Sequence, residues 1–262
     1  MGLNDSETEN VSEKSGKIKL KMSASLAKEI VKAIENTDEQ AVFVFDKYGL
    51  FVRVADPLHA RVVELMVEPP QFEEYDFTPS QHNNLGQIRL GVVISRLKDI
   101  TKTLVKKDYL DFEYVEGMNR VTTTGKGIQR TIRLIRSDLM NAIPEIKVAH
   151  LFSAELESDN LKSFLKASNV KGGMVDVITD NRFVLSSETD EGTVQINLDS
   201  EDVNLSPIDY ISMTSFSVEE ISKATSTSEG MILIQGKQNA PVEFRWNTKT
   251  GMSLKAWVAP RL

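Results

Sequence analysis

The chain has 262 residues, of which 40% are hydrophobic and 26% are charged, and its formal net charge is −7. This is ordinary globular composition, and the negative charge argues against a protein that coats nucleic acid with its whole surface, although a basic stripe on one face is compatible with it. The absence of cysteine excludes a disulfide framework, a zinc ribbon and a thiol nucleophile. No apolar run approaches the length of a membrane span and no signal peptide is recognisable, so we expect an intracellular protein without membrane contact.

The first elements follow a polar segment. Residues 1–16 carry few large apolar side chains, so we expect a disordered tail. Polar and apolar residues then alternate over residues 17–22, which predicts a strand. The apolar stripe of residues 25–35 predicts a helix with Ser23 or Ser25 as its N-cap. Apolar or alternating runs predict the next strands, at residues 42–45, 50–54 and 62–67.

Three further helices are predicted among many short strands. They cover residues 92–102, 158–168 (capped by Ser158 or Asp159) and 218–225. The side chains expected to point inward are Val93, Leu97 and Ile100, then Leu161, Phe164 and Leu165, then Val218, Ile221 and Ala224. A period of two predicts the other strands, at residues 110–114, 131–135, 175–178, 183–185, 194–198, 231–234 and 242–246. Helices covering antiparallel sheets make an α+β protein.

The order of these elements occurs twice. Leu26 and Leu161 lie 135 residues apart, Val42 and Val175 lie 133 apart, and Leu65 and Ile196 lie 131 apart. A duplicated helix-and-sheet unit predicts two tandem domains of like topology. We place them at residues 17–135 and 149–262, with the tail at 1–16 and a connecting loop at 136–148.

No catalytic constellation is recognisable. His59, His82 and His150 do not have the spacing of metal ligands. Residues 122–127 lack the glycine and the hydroxyl residue of a phosphate-binding loop, so we interpret them as a hairpin turn. The acidic cluster Asp199, Glu201 and Asp202 is interpreted as solvated surface. We therefore expect a binding or scaffolding protein that is not an enzyme and has no metal or cofactor.

Two local stretches match a known family. The loop Val54-Ala55-Asp56-Pro57-Leu58-His59 resembles the small-Asp-x-x-His loop of the archaeal-type proliferating cell nuclear antigen, the DNA sliding clamp family. The C-terminal Trp257-Val258-Ala259-Pro260-Arg261-Leu262 resembles the terminal Ala-Pro-basic-aliphatic segment of that family. Residues 72–75 and 187–192 also resemble clamp sequences, so the resemblance extends over about residues 17–262.

The resemblance implies two clamp-fold domains with helices facing inward and sheets outward. Three copies would close head to tail into a ring that encircles duplex DNA without reading its sequence. The ring would tether DNA polymerase, flap nuclease and ligase, and a clamp loader would place it on DNA. Such a protein would be cytoplasmic and nucleoid-associated.

The resemblance also implies three sets of functional residues. Basic helix residues would line the lumen and contact phosphates: Lys28, Lys32, Arg96, Lys102, Lys162, Lys166 and Lys223. Short partner motifs would dock in a groove formed by Ala55, Leu58, His59, Leu139, Met140, Ile143, Pro144, Pro241, Ala259 and Pro260. Neighbouring subunits would pair through two edge strands, at Thr131, Ile132 and Arg133 and at Val194, Gln195 and Ile196.

Some expectations remain open. Acidic residues dilute the positive helix faces: Glu29, Asp99, Glu219 and Glu220. The chain could also be one subunit of a heterotrimeric or checkpoint-type clamp, or a monomeric clamp-like decoy or inhibitor. An enzyme on a duplicated α+β scaffold is a further alternative, disfavoured by the missing site chemistry.

Overall fold

The structure is a computed structural model that describes residues 15–80, 85–140, 142–170, 172–179, 182–198, 203–205 and 212–261. Residues 1–14 of the predicted tail, His82 and the acidic cluster at 199–202 lie outside the described residues.

Nine strands and two helices follow one another in the first half of the described chain. Their order is β1 (Lys17–Ser23), α1 (Ala24–Ile34), β2 (Gln40–Asp46), β3 (Gly49–Ala55), β4 (Arg61–Val67), β5 (Glu74–Thr78), β6 (Ile88–Val93), α2 (Ile94–Thr101), β7 (Tyr109–Val115), β8 (Arg120–Gly125) and β9 (Ile128–Arg133). Two short 3-10 turns occur at Pro69–Gln71 and Ser137–Leu139.

The same order of strands and helices returns in the second half of the described chain. It runs through β10 (Phe152–Glu157), α3 (Ser158–Ala167), β11 (Met174–Thr179), β12 (Phe183–Thr189), β13 (Gly192–Leu198), β14 (Val203–Leu205), β15 (Ser212–Ser217), α4 (Val218–Ala224), β16 (Met231–Gly236), β17 (Val242–Asn247) and β18 (Ser253–Val258). The predicted duplication and the α+β class are therefore confirmed element by element.

Strand pairing repeats as well. In the first half the orders are β5-β1-β7-β8-β9 and β6-β2-β3, and in the second half they are β14-β10-β16-β17-β18 and β15-β11-β12-β13. Apart from β13, whose counterpart β4 lies next to β18, each strand in these orders has a counterpart at the same place in the order of the other half. The registers are antiparallel, as expected for strands joined by short turns.

The chain forms two compact units, and these do not follow it in two uninterrupted blocks. The first contains Met1–Val31, Glu39–Arg53 and Met66–Ala142, and the second contains Lys32–Asp38, Val54–Leu65 and Ile143–Leu262. Most of β4 thus belongs to the second unit, where it is the neighbour of β18. The domain limits drawn from the sequence stay a prediction.

The spacing between equivalent residues differs from the one read in the sequence. The helices α1 and α3 begin 134 residues apart, and the strands β2 and β11 are also related by 134, because Gln40 and Met174 face equivalent partners. Leu161 is therefore the counterpart of Ala27, and the predicted match with Leu26 is wrong by one residue. An apolar stripe tolerates this error because neighbouring positions are apolar too.

The second helix starts later than predicted. Val92 and Val93 are the last residues of β6 and pair with β2, so α2 begins at Ile94. The buried face of α2 comprises Ile94, Leu97, Ile100 and Thr101, and Val93 is only half-buried. Two consecutive β-branched residues fit an extended backbone better than a helix, which explains the correction.

Side-chain capping occurs at some of the helices. The Leu26 amide donates to Ser23 Oγ (3.2 Å) at the start of α1, and Glu220 N donates to Ser217 Oγ at the start of α4. The expected cap at α3 is wrong, because Ser158 is already the first helical residue. Its amide donates instead to Gly230 O (2.8 Å), so the helix start is held by the backbone of a neighbouring loop.

The remaining helical predictions are confirmed. Leu161, Phe164 and Leu165 are buried on α3. Val218, Ile221 and Ala224 are buried on α4. Residues 122–127 form the predicted hairpin, with Lys126 and Gly127 both in the left-handed region at the turn between β8 and β9.

Candidate nucleic-acid and partner-binding surfaces

Two lysines on α1 and two on α3 occupy equivalent, exposed positions. Lys28 and Lys162 are each the fifth residue of their helix, and Lys32 and Lys166 are each the ninth. All four lie on the face opposite the buried stripe. The sequence therefore places a pair of cations, one helical turn apart, at the same place in both repeats.

The two pairs differ in what their ammonium groups contact. Lys28 Nζ donates to Leu104 O (2.7 Å), and Lys162 Nζ donates to Ser228 O. These carbonyls are themselves equivalent, since each lies ten residues beyond the first residue of α2 or α4. The inner pair thus ties α1 and α3 to the loops that follow α2 and α4.

The outer pair is unengaged. Within the described residues, the ammonium groups of Lys32 and Lys166 form no hydrogen bond or ion pair, and both side chains are exposed. Free ammonium groups are available for phosphate contacts, whereas a group that already donates to a carbonyl must give up part of that contact. Sequence reasoning alone could not separate the two pairs.

The basic residues of α2 and α4 are mostly engaged locally. Arg96 donates to Arg133 O (2.9 Å), and Lys102 lies 3.5 Å from Asp99. Lys223 contacts Glu219 at 2.5 Å and Glu220 at 3.7 Å. The hydrogen bond from Lys223 lowers the pKa of the Glu219 carboxyl. Exposed pairs of this kind reduce the local positive field, so α1 and α3 carry the stronger candidate phosphate contacts.

The loop between β3 and β4 is shaped by Asp56. Its carboxylate accepts from Leu58 N (3.1 Å) and Arg61 N (2.5 Å), and its carbonyl accepts from His59 N (2.9 Å). His59 takes a left-handed backbone conformation, with φ of 54°. This closed turn leaves the Leu58 side chain 86% exposed and His59 exposed beside it. The Asp-x-x-His pattern is therefore a turn that presents an apolar side chain to solvent.

An apolar cluster in the second unit joins this loop to the connecting segment and the C-terminal strand. Ala55, Val62 and Trp257 form its buried part, and Ile143 and Ile146 pack against it. The structure thus brings together Ala55 and Ile143 from the predicted groove. Val62, Ile146 and Trp257 were missed, although Ile146 repeats the apolar character of Ile143 three residues later.

The ring nitrogen of Trp257 anchors this cluster to a buried carboxylate. Trp257 Nε1 donates to Glu243 Oε2 at 2.9 Å, and the same oxygen lies 3.3 Å from His150 Nε2. Arg245 Nε also contacts Glu243. A tryptophan held in this way provides a fixed apolar floor.

The C-terminal segment is fixed on both sides of Pro260. Ala259 N donates to Ala60 O (2.8 Å), and Arg261 N donates to Ser215 O (2.8 Å). Ala259 and Pro260 are half-buried, as is Pro241. The remaining predicted groove residues differ in exposure: Leu139 is 72% exposed, Met140 is half-buried and Pro144 is exposed. Their part in a groove stays a prediction.

The two predicted interface strands lie at sheet edges. β9 ends the order β5-β1-β7-β8-β9, and β13 ends the order β15-β11-β12-β13. Thr131, Arg133 and Gln195 are exposed, and Val194 and Ile196 are half-buried. Ile132 is only 3% exposed, so its side chain belongs to the core of the first unit and only its backbone could serve a neighbour. The strand also ends at Arg133, two residues before the predicted end.

No group of three or more His, Asp or Glu side chains in the described ranges has a metal-binding arrangement. None of the described helices has the length and apolar character needed to cross a membrane.

Comparison with known proteins identifies relatives along nearly the whole chain. It is 23% identical over 239 residues to DNA polymerase sliding clamp 1 of Pyrobaculum aerophilum, covering 89% of this chain and 93% of that one. It is 25% identical over 241 residues to the DNA polymerase sliding clamp of Nitrosopumilus maritimus, covering 90% and 94%. No known family model matches.

Solved structures agree with these relatives. A structure described as the C-terminal region of FEN-1 bound to A. fulgidus PCNA superposes with a TM-score of 0.79 at 19% identity, covering 94% of this chain and 98% of that one. The PCNA2-PCNA3 complex of Sulfolobus tokodaii gives 0.74 at 20% identity, covering 93% and 99%. The chain is thus similar to archaeal DNA polymerase sliding clamps along nearly its whole length, and it has the fold of PCNA.

These similarities confirm the resemblance read from the Asp56 loop and the C-terminal segment, and they confirm the clamp fold.

Proposed function

We propose that this chain is a DNA polymerase sliding clamp, a non-enzymatic processivity factor that encircles duplex DNA as a ring of three copies. It would retain replication and repair enzymes at the DNA, in the cytoplasm and at the nucleoid. The observation that carries the proposal is that the two halves repeat one topology and that β9 and β13 remain as sheet edges without a neighbour on their outer side among the described residues.

The two edge strands β9 and β13 each have a counterpart in the other half of the chain, and these two counterparts are neighbours in one sheet. β18 is the counterpart of β9, β4 is the counterpart of β13, and β4 lies beside β18 in the second unit. Pairing β9 of one copy with β13 of the next copy would repeat the pairing that β18 and β4 already make within one chain. It would also cover two edges that otherwise invite uncontrolled association. A head-to-tail contact of this kind generates a ring when its rotation closes.

A lumen lined by α1 and α3 would attract DNA without reading its sequence. Lys32 and Lys166 would contact phosphates directly, and Lys28 and Lys162 would add to the field while holding their helices. Phosphate contacts carry no base information, as a protein that slides requires. Weak contacts suffice, because the closed ring rather than the affinity would keep the protein on DNA.

Partner enzymes would dock beside Trp257. The apolar surface there is formed by Ile143 and Ile146, which pack on Ala55 and Val62. Leu58 adds a further exposed apolar side chain. A short motif with an aliphatic and an aromatic anchor fits such a surface. The C-terminal region of a FEN-1 nuclease is a suitable probe, since such a segment is bound to the A. fulgidus relative. DNA polymerase, clamp loader and ligase would use the same surface.

The lumen assignment is tested with charge-matched variants in a primer-extension assay. Lys32→Ala/Lys166→Ala removes the two free ammonium groups and should shorten clamp-dependent products, most strongly at low salt, because fewer phosphate contacts make DNA association less salt-dependent. A control with the same change of charge replaces Lys47 and Lys237, which lie in turns between strands, by Ala. It should behave as the unmodified protein. Equal product lengths for the two variants at every salt concentration would refute the lumen assignment.

A further inference from the structure

The loop that presents Leu58 is longer than its equivalent in the second repeat. Residues 56–60 join β3 to β4, whereas only residues 190–191 join the counterpart strands β12 and β13. The base of the longer loop is closed by Arg61, the first residue of β4. The Arg61 amide donates to Asp56 Oδ1 (2.5 Å), and the Arg61 carbonyl accepts from Asp56 N (3.0 Å). Any contact that fixes Arg61 therefore also fixes the loop.

The side chain of Arg61 attaches this loop to two helices. Its guanidinium contacts Glu220 Oε2 on α4 through Nη1, and it donates through Nη2 to the carbonyl of Asn36, two residues after the end of α1. The Arg61 side chain is only 3% exposed, and the Glu220 side chain is 19% exposed. All three residues belong to the second compact unit. The loop is thus held from the helices as well as from its own strands.

Stability alone does not explain a buried guanidinium at this position. A buried ion pair can often be replaced by apolar side chains of similar volume without loss of stability. Arg61 Nε is also buried, and among the described residues it has no hydrogen-bond partner, which costs free energy. The arrangement therefore points to a requirement for one fixed position of the loop, because directed contacts to a carboxylate and a carbonyl specify a geometry that apolar packing does not.

Two neighbouring glutamates on α4 differ in their contact with Arg61. Glu220 places one carboxylate oxygen on Arg61 and the other 3.7 Å from Lys223 Nζ. Glu219 lies 2.5 Å from Lys223, and in the described part of the chain it forms no hydrogen bond or ion pair with Arg61. The contact with the loop is thus specific to Glu220, although both carboxylates share Lys223.

We propose that Arg61 and Glu220 are a positioning pair for partner docking, which holds residues 56–60 so that Leu58 is presented in one place. This inference rests on the proposed docking of partner motifs beside Trp257, and it adds the residues that prepare that surface. A loop that is ordered before binding loses less conformational entropy when the partner binds, so the complex is tighter. Because Glu220 lies on α4, the docking surface is set from a helix that also carries a candidate phosphate contact, Lys223.

Matched glutamate variants test the proposal. Glu220→Gln removes the charge that Arg61 contacts, and Glu219→Gln makes the same change one residue earlier and leaves that contact intact. Calorimetry with a FEN-1 C-terminal peptide should show an affinity about tenfold lower for Glu220→Gln and unchanged for Glu219→Gln. Arg61→Met removes the other member of the pair and should lower the affinity as much as Glu220→Gln does.

Hydrogen exchange and a double variant separate positioning from a general loss of structure. The amides of Leu58 and His59 should exchange faster in Arg61→Met and in Glu220→Gln, while the urea midpoint of unfolding stays near that of the unmodified chain. The double variant Arg61→Met/Glu220→Gln should lose no more peptide affinity than either single variant, because both substitutions break one contact.

The outcomes distinguish this inference from the proposed function. An unmodified chain that does not bind the peptide refutes docking at this surface and this inference together. A chain that binds the peptide, and whose Arg61→Met and Glu220→Gln variants bind it equally well, refutes the positioning pair alone. Equal losses in Glu219→Gln and Glu220→Gln, or additive losses in the double variant, would also overturn it, because the effect would then come from the charge of α4 and not from the contact with Arg61.

Discussion

The connecting segment offers the sharpest test of partner docking. Ile143→Asp places a carboxylate where a half-buried isoleucine packs on the cluster of Ala55, Val62 and Trp257. A well-buried anchor side chain contributes about 1.5–3 kcal/mol, and each 1.4 kcal/mol is about a tenfold change in affinity. Losing the contact of one anchor should therefore weaken a FEN-1 C-terminal peptide by about 10- to 150-fold. Desolvation of the new carboxylate adds to this loss.

The matched control is Ala142→Asp. It introduces the same charge one residue earlier, at a position that is exposed. Calorimetry with the peptide should show nearly unchanged affinity for this variant. Trp257 is one of the two tryptophans of the chain, so its emission reports whether Ile143→Asp disturbs the floor itself. Equal affinities for Ile143→Asp and the unmodified protein would refute docking at this cluster.

Two stability predictions follow from the first unit. Gly49 has φ of 119° and an added Cβ would lie 2.0 Å from Val67 O, whereas Gly192 has φ of 127° and open space. Gly192→Ala should lose only the free energy of backbone strain, about 1–3 kcal/mol. Gly49→Ala should lower the urea midpoint of unfolding much further, because it adds the clash with Val67 O. Equal losses of stability in the two variants would refute this clash. Burial raises the pKa of Tyr75, whose hydroxyl donates to Asp46 O (2.6 Å) and Gly49 O (2.9 Å). The folded chain favours the neutral phenol over the phenolate, so this group stabilises the fold fully below a pH of about 10 and progressively less above it. Tyr75→Phe should therefore abolish this part of the loss of stability at alkaline pH, as measured by denaturation curves.

Local patterns were sufficient for the architecture. The apolar spacing of Leu161, Phe164 and Leu165 predicted the buried face of α3, because helical periodicity depends only on neighbours in sequence. Boundaries were less accurate where two explanations compete. Val92 and Val93 fit both an apolar helix face and a buried strand, and pairing with β2 decides for the strand. That pairing joins residues about 50 positions apart and leaves no local sign.

The candidate sites show the same limit. Exposed lysines on α1 and α3 were predictable, but the contact of Lys28 with Leu104 O distinguishes it from Lys32 and arises from the tertiary fold. Trp257 was missed from the groove because its neighbours Ala55 and Ile143 come from distant segments. The family resemblance pointed to the Asp56 loop, the connecting segment and the C-terminal strand, and the structure shows which of their residues pack together.

Retention on circular DNA tests the central claim most directly. The protein is loaded onto nicked circular duplex by a clamp loader, and unbound protein is washed away at high salt. The DNA is then cut once with a restriction enzyme. A closed ring should stay on the uncut circles and slide off the linear molecules within the same time. Equal loss from circular and linear DNA would contradict the account, because the protein would then be held by affinity and not by topology.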